Sequence, residues 1–177
     1  MTGSRLAASA ALALLTAGPA LAADLRDELR QRGGFETFLK ALEASDAGWF
    51  LHEGDQRYTV FVPTDEAFAA MPEGVLEAML KPENKPKLTM TLEHHVVPDV
   101  ALSGAEVLAR AEAGEPIDPA AGEPYAVSGS GGSVVLDGAQ VVRPDIEAGP
   151  ILAHAVSAVM VPEIVVEAMK YAGDWPE

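Results

Sequence analysis

Tyr58-Thr59-Val60-Phe61-Val62-Pro63-Thr64-Asp65-Glu66-Ala67-Phe68 is the stretch whose reading decides the fold. Its first five residues are β-branched or aromatic, which predicts a buried strand, and Pro63 stops it. Thr64 then predicts a helix N-cap, because its hydroxyl oxygen can accept from a free N–H of the first turn. Asp65 and Glu66 place negative charge in that turn, where the helix dipole favours it. Phe68 and Met71 are the apolar positions of the short helix. The main reading of this segment is a fold-specifying turn whose Phe68 points back to the core. The functional reading is that Thr64, Asp65 and Glu66 touch a partner at an exposed turn.

Downstream, Pro72 predicts the start of another helix with Val75, Leu76, Met79 and Leu80 facing inward, ended by Lys81-Pro82. A third helical stretch runs from Lys85 to His95. Leu88, Thr91, Leu92 and His95 share one face at i, i+3, i+4, i+7. His95 therefore reads as a core histidine with one satisfied hydrogen bond. His94 lies about 100° away on the helix and reads as more exposed, available to a partner. Val96-Val97-Pro98 continues as an extended segment. Ser103 with Glu106 before Val107-Leu108 is a capping-box pattern for one more helix.

Gly114 to Gly122 reads as a loop. Beyond it come short strands. Tyr125–Val127 is followed by Ser128–Gly132, read as a flexible hairpin loop. Val134–Leu136 is followed by Asp137-Gly138, a strong hairpin signal, and then by a strand at Ala139–Val142. A long β-type run spans Ile151–Val161 and ends at Pro162. A terminal helix is expected over Glu163–Tyr171, with a tail at Asp174–Glu177.

Upstream, Ala23–Arg32 reads as a lead-in helix broken by Gly33-Gly34. Phe35, Phe38, Leu39 and Leu42 form one face of the next helix, and Trp49 and Phe50 continue the core. His52–Arg57 is a polar turn. Residues 1–22 read as a secretory signal peptide. Arg5 is the positive region, Leu6–Ala17 the apolar region, and Ala20-Leu21-Ala22 an A-x-A cleavage site. The apolar stretch is too short for a membrane span of about 20 residues. Helices, a strand, more helices and a block of strands predict an α+β domain, with no internal repeat.

The chain has 177 residues, no Cys and a formal charge of −15. Cleavage after Ala22 removes Arg5 alone among the charges and leaves 155 residues at −16. Without Cys there is no disulfide framework and no thiol nucleophile. The acidic balance argues against nucleic acid, whose phosphates are held by Lys and Arg. With 49% hydrophobic residues the chain can bury a core.

Three segments resemble the fasciclin domain family. Tyr58 to Phe68 is similar to its first signature. Leu92-Glu93-His94-His95-Val96-Val97-Pro98 is similar to its central Tyr-His motif, with His94 standing where the family usually has Tyr. Val135–Val142 with Asp145-Ile146, then His154 through Pro162, is similar to the closing segment. There Pro150-Ile151 replace a usual Asn-Gly, and Ser157 a frequent Asp. The resemblance covers residues 33–162, leaving 23–32 as a lead-in and 163–177 as a helix and tail. It implies a wedge-shaped β-sandwich flanked by several α-helices, with Phe61, Pro63, Phe68, His95, Pro98 and His154 as fold-motif positions. It also implies extracellular or periplasmic residence, association with a protein, cell-surface or matrix partner, and no catalytic activity or cofactor.

The residues themselves advertise no chemistry. There is no G-x-S-x-G elbow, no H-E-x-x-H and no D-x-D-x-D-G loop. Adjacent His94 and His95 cannot share a helix face, so a histidine metal site would need His94, His154 and His52 to converge. His154 reads as structural. Lys81, Lys85 and Lys87 form a basic cluster, read as a solubilising loop. An alternative function is a periplasmic small-molecule or lipid-binding domain, motivated by Met71, Met79 and Met90 as the lining of an adaptable groove.

Overall fold

The computed structural model describes residues 24–51 and 56–176. The leader assigned to residues 1–22 and most of the polar turn at His52–Arg57 lie outside them.

Strand β1 (Tyr58–Pro63) is buried at every residue, Pro63 included. Burial on both faces is why its sequence shows no polar alternation. Tyr58, Val60 and Val62 enter one apolar cluster, and Phe61 enters a second on the opposite face. Thr59, fully buried, donates its hydroxyl to the Val100 carbonyl at 2.9 Å and accepts from the Leu102 N–H at 2.8 Å. β1 pairs antiparallel with β2 (Val96–Val97) and parallel with β6 (Ile151–Val156). β6 obeys the same alternation: Ile151, Ala153 and Ala155 face the first cluster and Val156 the second.

The strands β3 (Val127–Ser130), β4 (Ser133–Leu136) and β5 (Ala139–Ala148) complete a six-stranded sheet in the order β2-β1-β6-β5-β4-β3. β5 curls it. Its first residues pair with β4, its remainder pairs with β6, and the register shifts twice, between Val141 and Arg143 and between Arg143 and Ile146. Asp145 sits in that irregular stretch at φ 59°. Such bulges bend a strand and increase its twist. The expected wedge-shaped sandwich is thus one curled sheet with an apolar cluster on each face.

Strand boundaries differ from the sequence reading in β3, β5 and β6, and β5 runs on to Ala148, past the expected end at Val142. Ser128–Ser130 belong to β3, and only Gly131-Gly132 turn the chain. Gly129 reads as a loop residue, yet it serves close packing: a Cβ there would stand 3.0 Å from the Ala111 Cβ. At the other end, β6 stops at Val156, short of Val161. The Met160 N–H donates to the His95 ring at 3.1 Å and so is unavailable to a strand neighbour.

Seven α-helices lie among the described residues: α1 (Leu25–Arg32), α2 (Glu36–Ala44), α3 (Asp65–Ala69), α4 (Val75–Met79), α5 (Lys85–Glu93), α6 (Gly104–Ala113) and α7 (Glu163–Ala172). All but α6 contribute buried side chains to the first cluster, whereas α6 covers the second with Val107 and Ala111. The Ser103–Glu106 capping box is present. Pro72 opens a turn, and α4 starts only at Val75, after Gly74 at φ 80°. Leu80 ends α4 as its exposed C-cap and does not face inward. None of these helices is long and apolar enough to cross a membrane.

Candidate functional site

The turn after β1 uses two of its three polar residues internally. Thr64 caps α3, its Oγ1 accepting from the Ala67 N–H at 3.2 Å. The Asp65 carboxylate reaches across to α2, accepting from the Thr37 N–H at 2.7 Å and the Glu36 N–H at 3.2 Å. Partial burial pushes this carboxyl up, but the Thr37 and Glu36 hydrogen bonds and the Lys40 charge outweigh it and hold it below the usual range. The expected exposed carboxylate pair therefore divides: Asp65 is a structural cap, and Glu66 alone is exposed.

Three histidines are buried, and each ring bonds through both nitrogens. His95 donates from Nδ1 to the Thr91 carbonyl at 2.7 Å and accepts at Nε2 from the Met160 N–H. Burial pushes it down to about 4, against the raising effect of the Thr91 bond. It is the core histidine expected from the α5 stripe, with two bonds in place of one. His154 accepts at Nδ1 from the Asp145 N–H at 3.1 Å and donates from Nε2 to the Leu102 carbonyl at 2.8 Å. Burial lowers it as well. Its ring lies 5.6 Å from the Phe61 ring, so the first and last signatures meet on one face of the sheet.

His94 corrects the sequence reading. It is only 3% exposed, not open to a partner. It caps the end of α5, its N–H still bonded to the Met90 carbonyl at 2.9 Å, and the 121–126 segment closes over it. Its Nδ1 donates to the Ala121 carbonyl at 2.7 Å, and its Nε2 lies 3.1 Å from the Asp137 carboxylate. Tyr125 packs edge-on against the ring, and its hydroxyl donates to the His94 carbonyl. Asp137, at φ 46° in the β4–β5 turn, also accepts from the Ala126 N–H at 2.7 Å. Gly122 is required here, since at φ +90° a Cβ would stand 2.6 Å from His94 Nδ1.

Beside this closed cluster the surface opens. Two adjoining cavities of about 450 and 780 Å³ lie along the N-terminal half of α7. Both are lined by Glu123, Pro162, Glu163 and Glu167, the smaller reaching His94 and Asp137 and the larger Met90 and Ile164. Sequence reasoning missed this groove. Its one signal was that Ile164 and Tyr171 fall seven apart on α7, off the buried stripe of Val165 and Met169.

The other candidates disperse. Met79 is in the core, Met71 lines a cavity of about 280 Å³ near Trp175, and Met90 lines the large one beside α7. The three methionines therefore form no common groove. Lys81 pairs with Asp174 at 3.4 Å, Lys85 with Asp46 at 2.7 Å, and Lys87 donates to Asn84 at 2.7 Å, so the basic cluster faces partners within the chain. Among the described residues no three His, Asp or Glu side chains are placed to hold a metal, and His52 lies outside them.

Comparison with known proteins matches the Fasciclin domain to residues 33–162. The Synechocystis sp. protein sll1483 is 36% identical over 128 residues, spanning 72% of this chain and 67% of that protein. Stabilin-2 of Mus musculus is 40% identical over 62 residues, 34% of this chain but 2% of that protein. The transforming growth factor-beta-induced protein ig-h3 of Oryctolagus cuniculus is 32% identical over 106 residues, 59% of this chain and 14% of that protein. In structure, the chain is similar to a FAS1 domain pair from the insect cell adhesion molecule fasciclin I, with a TM-score of 0.68 at 17% identity. That superposition covers 81% of this chain and 52% of the pair. The ordered signatures, the curled sheet that joins the first to the last, and the match over residues 33–162 lead to one conclusion: the chain belongs to the fasciclin domain family.

Proposed function

We propose that this fasciclin domain is a non-enzymatic module of adhesion or protein–protein association, exported through its leader at residues 1–22 and acting at the cell envelope. One observation carries the non-catalytic reading. The three buried histidines are committed to the fold: His94, His95 and His154 each bond through both ring nitrogens. Among the described residues, no buried side-chain nitrogen or oxygen lacks a partner. A histidine that acts as general acid or base must reach the substrate's proton with one ring nitrogen. Association needs only surface, and the names of relatives support it: one is a domain pair from a cell adhesion molecule.

The test is binding of the purified chain to immobilised matrix proteins, whole cells and envelope extracts. Saturable binding to one of them is the expected result, and its absence on all of them sinks the association reading. Mass spectrometry of the protein recovered from the producing cell tests export separately. The expected N-terminus is Ala23, and an intact Met1 terminus overturns the leader.

A further inference from the structure

The groove along α7 combines two properties that differ from the general acidity of the chain. Glu123, Glu163 and Glu167 line both of its cavities, and Asp137 adds a fourth carboxylate at its inner end. The Lys170 ammonium, which lines the inner cavity, is already 3.1 Å from Glu167. No described cation pairs with Glu123 or Glu163. The outer cavity is also lined by two large apolar side chains, Ile164 at 66% and Met90 at 36% exposure. A concave surface that joins exposed apolar side chains to unpaired carboxylates offers both halves of an amphipathic contact.

We propose that this groove docks a cationic amphipathic segment of a partner protein. Its apolar side chains cover Ile164 and Met90, and its Lys or Arg side chains meet Glu123, Glu163 and the outer edge of Asp137. Charge complementarity selects this occupant. An anionic lipid surface or a nucleic acid would be repelled by the same carboxylates. A small polycation would answer the charge but leave Ile164 and Met90 in water. The inference rests on the association reading and gives it a surface and a partner chemistry. Groove and helix face together fit the mode in which an amphipathic helix lays its apolar side into a channel.

The probe is a fluorescein-labelled Lys/Leu amphipathic helix of about four turns, with a Glu-for-Lys counterpart as control. Binding is read by anisotropy at about 150 mM salt, where exposed charges beyond about 8 Å are screened. The Lys peptide is expected to bind and the Glu peptide not to bind. The triple variant Glu123→Gln, Glu163→Gln, Glu167→Gln is expected to bind about tenfold or more weakly, and Ile164→Ser to weaken binding as well. The triple variant Glu73→Gln, Glu77→Gln, Glu83→Gln removes the same charge from an exposed region elsewhere and is expected to leave affinity unchanged. Thermal melts establish that all variants fold. Equal loss in the two triple variants, or no effect of Ile164→Ser, overturns the proposal. A dimer by sedimentation that Ile164→Ser dissociates overturns it too, because the occupant is then a second copy. The matrix and envelope assay run on the groove variant separates the two readings. Binding unaffected by the groove variant removes this inference alone, whereas no binding by the unsubstituted chain removes the association reading.

Discussion

Asp65 Oδ1 accepts a hydrogen bond from the Thr37 N–H at 2.7 Å, across 28 residues of chain. α2 begins at Glu36, and the side chain of its N-cap residue Phe35 offers no acceptor, so the carboxylate after β1 supplies the missing one. One residue thus opens α3 and closes the start of α2. Asp65→Ala is expected to destabilise the fold by about 1–2 kcal/mol, the usual range for losing a helix N-cap. Glu66→Ala, one residue on and exposed, is expected to stay within about 0.5 kcal/mol. Because the folded Asp65 carboxyl lies below its ordinary value of 3.8, its stabilisation is present above that pH and is lost as pH falls through the lower folded value. Urea denaturation of the three proteins at neutral and acid pH checks this. Equal loss from both substitutions would place the cap elsewhere.

His95 is expected to make stability fall on mild acidification. The ring is neutral and closed on both sides in the fold, and burial holds it at about 4 against an ordinary 6.5. Between those values the unfolded chain binds the proton and the folded chain does not. The stabilisation is therefore complete above about 6.5 and drains away as pH falls towards about 4. The shift corresponds to about 3 kcal/mol. His154, lowered by burial, acts in the same direction. Urea midpoints are expected to drop between pH 7 and pH 5 in the unsubstituted chain. His95→Phe is expected to lower the midpoint at pH 7 by leaving the Met160 N–H unmatched, and to flatten the drop to pH 5. An unchanged slope in that variant would assign the acid sensitivity to other groups.

Local features were legible in the sequence, and features made by distant chain were not. The β1 run, the Thr64 cap, the Ser103–Glu106 box and the Asp137-Gly138 turn each depend on a few adjacent residues. His95 was placed correctly because its partner Thr91 lies one helical turn away. His94 keeps the helical N–H bond to the Met90 carbonyl, so its direction off the stripe follows the helix, but a helical projection shows nothing of the distant chain that covers that face. Its cover comes from Ala121, Tyr125 and Asp137, which no local pattern joins to residue 94. The same holds for the groove, which needs α7 beside the 121–126 segment, and for Asp65, whose use by α2 hides behind its position in α3.

Gly129 tests whether a glycine signal marks flexibility or proximity. A Cβ at this position meets Ala111 at 3.0 Å and Leu108 at 3.2 Å, both on α6. Gly129→Val is expected to push α6 off β3 and cost about 1–3 kcal/mol through overpacking, despite the higher β-propensity of Val. Ser128→Val, one residue earlier and exposed, is expected to be neutral or slightly stabilising. Hydrogen exchange on α6 amides locates the effect. Unchanged protection of α6 in Gly129→Val would mean that close approach to α6 does not hold this position to glycine.

Gly122, His94 and Asp137 close the 121–126 segment over the end of α5. Substituting Gly122 by Ala combines a left-handed backbone with a Cβ 2.6 Å from His94 Nδ1, so the ring must leave the Ala121 carbonyl. The expected cost is about 2 kcal/mol or more, from backbone strain and a broken buried bond together. Asp137 separates charge from hydrogen bonding. Asp137→Asn keeps one oxygen for the Ala126 N–H and offers an amide N–H to His94 Nε2, whereas Asp137→Ala loses both contacts. Asp137→Ala is therefore expected to cost more than Asp137→Asn, by about 1 kcal/mol. In both Gly122→Ala and Asp137→Ala the hydroxyl of Tyr125 is expected to exchange faster with solvent, because its acceptor is the His94 carbonyl. Denaturation midpoints and hydroxyl exchange by NMR measure these effects. Equal costs for the two Asp137 variants would mean that the segment is held by Tyr125 and the backbone alone.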